Sequence, residues 1–86
     1  MKVFVATYEN RRQDTVVRLF WTERLALNWR AEIARENWSR FMEGDIPSDQ
    51  DVAASTYFEA ESDVGSSWFS IEECEIEGDQ PAVTAA

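Results

Sequence analysis

Histidine is missing from this 86-residue sequence, and so is any lysine or arginine after position 40. Without histidine the chain lacks the commonest group for proton transfer near neutral pH. A single cysteine, Cys74, excludes an intramolecular disulfide framework and accords with a reducing compartment. That cysteine lies among Glu72, Glu73 and Glu75, whose charge disfavours the thiolate that a nucleophile needs, so it reads as a small strand residue. The three glycines, Gly44, Gly65 and Gly78, are scattered singly and form no phosphate-cradling loop. Asp45, Asp49 and Asp51 lie close together, but the calcium-loop pattern with its central glycine and final glutamate is absent. No catalytic residue, metal ligand or cofactor is therefore expected. No stretch approaches the roughly 20 apolar residues of a membrane span. The start, MKVFVATYEN, alternates instead of forming the apolar run of a signal peptide. The expected location is cytoplasmic, without membrane association.

What is present is enough for one small core. Hydrophobic residues make up 44% of the chain and aromatics 13%, which argues against disorder throughout. A chain this short buries a little over ~60% of its unfolded surface, so it has room for one domain. Charge is laid out unevenly. Residues 1–42 hold all eight bases against five acids, a balance of +3, while residues 43–86 hold twelve acids and no base, a balance of −12. Such a layout serves solubility, and it can also mark an acidic interaction surface. An acidic surface repels phosphates, so direct nucleic-acid binding is disfavoured and a basic protein surface is the natural partner.

Residues 2–9 alternate and are rich in β-formers, and 15–21 form a second strand across the polar connection 10–14. Because Arg18 shares a face with Val16 and Phe20, the alternation predicts that Val17, Leu19 and Trp21 point into the core. A helix is predicted over 23–43, capped by Thr22 and stopped at Gly44. Its apolar positions cover a wide arc, leaving Asn28, Glu32, Arg35 and Ser39 on the polar side. Such a helix must touch more than one neighbour: the sheet, a second helix or a partner chain. A second helix is predicted over 49–61 behind Ser48 as cap, and a third strand over 68–77. The predicted fold is α+β, ordered β-β-α-α-β: a three-stranded antiparallel sheet with two helices packed on one face, the last strand pairing either with the first, which is then central, or with the second. Residues 1–77 form the single domain, and 78–86 a flexible C-terminal tail.

The last strand carries the feature that needs explaining. Glu73, Glu75, Glu77 and Asp79 alternate, so a strand places them on one face at roughly 6.6–6.8 Å spacing. Phe69 and Ile71 share that parity, so the face changes from apolar to acidic. Either a β-bulge near Glu72–Glu73 switches the faces, or the strand runs on beyond the helices into water. Charges on an edge strand protect it from pairing with other sheets, yet a row of four repels itself. Glu59, Glu61 and Asp63 add to the acidity nearby in sequence. Trp29 and Trp38 are expected in the core, whereas Trp68, out of phase with Phe69, is expected on the opposite face as an exposed anchor. The candidate partner-binding residues are Glu72, Glu73, Glu75, Glu77, Asp79, Asp63 and Trp68.

The stretches KVFVATYE, ALNWRAEIARENW and WFSIEECEI resemble small proteins encoded by phages and other mobile elements. In size, acidity and want of catalytic equipment the chain is similar to anti-CRISPR proteins. That resemblance implies a non-enzymatic inhibitor that binds the basic nucleic-acid-recognition surface of a Cas effector, by steric blocking or by mimicry of nucleic acid. The alternative is a small homodimeric accessory or antitoxin-like interaction module using the wide apolar helix. The chain would be a monomer under the first reading and a homodimer under the second.

Overall fold

A computed structural model describes residues 1–76. Five elements follow in the order β1 (Lys2–Glu9), β2 (Thr15–Phe20), α1 (Glu23–Phe41), α2 (Gln50–Asp63) and β3 (Trp68–Glu75). The sheet is antiparallel with order β2-β1-β3, so the first strand is central and both later strands are edges. Glu77, Asp79 and the expected tail at 78–86 lie outside the described residues.

The hairpin closes through Asn10, whose side-chain oxygen accepts the backbone N–H groups of Arg12 and Asp14 at 2.9 and 3.0 Å. Asparagine favours such turns because its side chain mimics a backbone acceptor. Gln13 completes the turn in the left-handed region at φ +68°. Thr22 caps α1 by accepting from Leu25 N–H at 3.2 Å. The helix ends at Phe41, short of the predicted Gly44, and Trp38 Nε1–H donates to the Gly44 carbonyl at 3.1 Å. The α2 cap is Asp49, one residue after the predicted Ser48. Its carboxylate accepts from the N–H groups of Asp51 and Val52 at 2.9 and 3.2 Å. An anionic acceptor also suits the positive end of the helix.

Aromatic side chains identify the covered face of the sheet. Tyr8 of β1, Phe20 of β2 and Phe69 of β3 share it, and they meet Trp29 of α1 and Phe58 of α2 with centroids 5.4–6.2 Å apart. Most of these contacts are edge-on or tilted, arrangements worth about 0.5–1.5 kcal/mol each beyond simple burial. Between the helices, Ala31, Ala34, Ala53 and Ala54 allow close approach, flanked by Ile33, Trp38, Tyr57 and Phe58. The wide apolar arc of α1 is thus used by α2 and by all three strands.

One face assignment is reversed. Val17, Leu19 and Trp21, expected in the core, are 57%, 66% and 65% exposed. The helices instead cover the Phe20 side, and Arg18 lies there too. Its guanidinium sits 5.0 Å from the Trp29 ring centre and 5.3 Å from that of Phe20. A long cationic side chain can lay its stem on apolar surface and its charge on an aromatic face. Arginine at that position was therefore no sign of an outward face.

Candidate interaction surface

The β1–β3 register runs without a slip from Lys2↔Glu75 to Glu9↔Trp68, so there is no bulge at Glu72–Glu73. The other explanation holds: the strand pair extends past the helices. Phe69 and Ile71 lie under helical cover, and Glu73 and Glu75, on the same face, stand in water. Each meets a cation there. Lys2 Nζ is 3.1 Å from Glu73, and the N-terminal ammonium donates to Glu75 at 2.9 Å. Hydrogen bonding to that ammonium holds the Glu75 carboxyl below its usual range, and hydrogen bonding to Glu73 raises the Lys2 ammonium. These pairs are exposed and of little energetic worth, so a partner's cations can compete for the carboxylates.

The remaining predicted contacts are dispersed. Glu72 points to the helix-free face, in the row Leu19–Val5–Glu72. Trp68 is on that face too, as expected, and exposed; its indole N–H donates to Glu9 at 2.6 Å. Asp63 is exposed at the end of α2, near Phe69. Six residue steps along the strand separate Phe69 from Glu75, about 20 Å. Asp63 and Trp68 are therefore at one end of β3 and the Glu73–Glu75 pair at the other.

Glu61 does not join the acidic surface at all. It is 2% exposed and held by Arg11, whose Nε–H and Nη2–H donate to its two oxygens at 3.0 and 2.6 Å. Ser67 Oγ–H donates to the same carboxylate at 3.0 Å. The Arg11 guanidinium lies 3.6 Å over the Phe41 ring. This bidentate, stacked arrangement ties the hairpin turn to α1, to α2 and to the residue before β3. The spacing in sequence, fifty positions, carries no signal of it. Beside the pair, Arg12, Asp14, Asn37, Arg40, Tyr8 and Tyr57 line a polar cleft of about 270 Å³. Burial pushes the Tyr57 phenol up to about 12, with the Glu61 charge adding to the effect.

Two of the aspartates grouped around the start of α2 also have partners. Asp49 is the helix cap, and Asp51 takes two hydrogen bonds from Arg24 at 3.0 and 2.7 Å, which hold its carboxyl below the usual range. Among the described residues no group of three or more His, Cys, Asp or Glu side chains is arranged to hold a metal ion. No helix among them is long and apolar enough to cross a membrane.

The exposed apolar surface is concentrated on and beside β2, where sequence reasoning placed core. The helix-free face joins Val17 and Leu19 of β2 to Thr7 and Val5 of β1, with Ser70 and Glu72 beyond them on β3. A sheet open on one side normally alternates apolar-in and polar-out. Here the outward positions of β2 are apolar. Comparison with protein-family models, with curated proteins and with solved structures finds no match.

Proposed function

We propose that this protein is a non-enzymatic binding module that acts through its acidic edge strand on a basic protein surface. The observation behind this reading is the exposure of Glu72, Glu73 and Glu75 along β3, an edge strand in the base-free half of the chain. Carboxylates on such a strand match the cations of a groove that holds a nucleic-acid backbone. Their contribution falls mainly on association rate and salt sensitivity. The specific form of the proposal is a phage-type inhibitor of the anti-CRISPR kind, occupying the nucleic-acid-recognition surface of a Cas effector in the cytoplasm of the host cell.

The test is binding of the purified protein to a panel of Cas effectors, with and without bound nucleic acid. Binding to at least one effector is expected, and prior loading with nucleic acid should block it. The variant with Glu72→Gln, Glu73→Gln and Glu75→Gln should associate roughly tenfold more slowly at low salt. Binding that is indifferent to these substitutions excludes β3 as the contact. No binding across the panel removes the anti-CRISPR reading.

The second reading, a small homodimeric accessory or antitoxin-like module, is favoured by a different observation. α1 has neighbours on its apolar sides, so its surface is not the free one. The exposed Val17, Leu19 and Trp21 are the surface available for self-association.

A further inference from the structure

The two edges of the sheet are built differently. An edge strand presents unpaired N–H and C=O groups that can template another strand, and charged side chains oppose such pairing. Along β3, Glu72, Glu73 and Glu75 supply that opposition. β2 reads TVVRLF and has no acid, no proline and no glycine. Its one charge, Arg18, is turned onto the rings of Trp29 and Phe20. Five of its six residues are exposed, and among the described residues nothing pairs with its outer edge.

We propose that a second copy of this chain pairs with β2, strand against strand and antiparallel, about a two-fold axis at Val17. This inference rests on the second reading and is independent of the acid-directed one. Charge selects the edge. Each copy carries a net charge of −9, and the β2 edge is where two copies can approach without bringing carboxylates together. Symmetry, strand overlap and charge select the register: centres at Val17 and Arg18 engage five of the six residues, and those at Val16 and Leu19 only three. A two-fold axis normal to the sheet keeps odd residues opposite odd ones. Centring on Val17 places Val16 opposite Arg18 and Thr15 opposite Leu19. Centring on Arg18 sets two like-charged residues directly opposite each other, which is unfavourable. The apolar faces of both copies then run together across the join. The resulting six-stranded sheet carries an acidic β3 at each outer edge, about 24 Å apart across five strand intervals.

The expected association is weak. A pairing of six-residue strands covers less than the roughly 800 Å² per partner of a standard interface, so the dimer belongs in the micromolar range or above. Analytical ultracentrifugation up to about 500 μM is the appropriate measurement. Dimer formation should rise with protein concentration and also rise between about 50 and 500 mM salt, because screening relieves the mutual repulsion. Partner binding through acids should weaken over the same range. Val17→Lys and Leu19→Lys alter exposed side chains and should weaken self-association at least tenfold without changing circular dichroism. Glu72→Gln, Glu73→Gln and Glu75→Gln should leave it intact or strengthen it. In a Cys74→Ser background, Val17→Cys should form an intermolecular disulfide, since directly opposed residues have Cα atoms ~4.5–5.5 Å apart. Glu73→Cys in the same background should form none. A monomer at the highest concentration and salt overturns the proposal and leaves the acid-directed reading standing. So does a dimer unaffected by the lysine substitutions, or one that salt dissociates.

Discussion

Replacing Arg11 by alanine should destabilise the fold by about 2–3 kcal/mol. Removing one partner of a buried ion pair costs about 3–5 kcal/mol, because the other charge stays buried without compensation. Here Glu61 is nearly inaccessible, but the Arg11 side chain is 41% exposed, so water recovers part of the loss once the guanidinium is gone. Ser67 also continues to donate to Glu61. Both facts bring the figure to the lower limit of that range or somewhat below it. A domain of this length has about 4–13 kcal/mol of stability in all. With a urea dependence near 1 kcal/mol per molar for so small a protein, the midpoint should fall by about 2 M or more. Trp29 and Trp38, both packed against neighbours, provide the fluorescence signal for urea titration. The double variant Arg11→Ala, Glu61→Leu should recover most of the loss, since no buried charge remains. A loss below about 0.5 kcal/mol for Arg11→Ala, or a double variant as unstable as the two single losses added, would refute the assignment of a buried, coupled pair.

Two further outcomes are expected. The Tyr57 phenol is raised by burial to about 12, against an ordinary value near 10 in the unfolded chain. The fold therefore favours the neutral phenol; its contribution to stability is complete below pH ~10 and lost as pH rises towards 12. Phenolate absorbance and loss of circular dichroism should climb together in that window, and ionisation of both tyrosines at pH 10 with the fold intact would contradict it. Asp49→Ala removes the α2 cap and should cost about 1 kcal/mol in thermal or urea unfolding, whereas Ser48→Ala should cost almost nothing.

Local chemistry was the legible part of the sequence. The bounds of β1 follow from alternation, and Thr22 and the polar turn around Asn10 from their capping and turn chemistry. The element order is legible too, but nothing in the sequence decides whether the last strand joins the first or the second; the structure joins it to the first. Two other kinds of information were out of reach. The face of β2 depends on what Arg18 touches, and an aromatic surface supplied by Trp29, eleven positions later, is not visible in a six-residue pattern. Glu61 appeared as one more acid in an acidic half until Arg11, fifty positions earlier, was seen to fold over it. For Glu73 and Glu75, shared parity and exposure follow from the alternation, and only the register decides between a bulge and a strand running into water. The cations that meet it, Lys2 and the N-terminal ammonium, come from the opposite end of the described chain.

The strand order has a consequence for how the chain reaches its native state. β1 pairs with β2 across a five-residue turn, but its pairing with β3 joins residues 59 to 73 positions apart. A ribosome thus releases the central strand first and the last strand that completes it only after both helices. Closure of so long a loop is entropically costly before it is rewarded, so β3 docking should govern the folding rate. Until then the β3-side flank of β1, with Val3 and Ala6 buried in the finished sheet, stays open during synthesis. The acids that β3 carries there have a role in that interval as well. They keep a late, unpaired strand in solution until it docks on the flank of β1 that has waited for it.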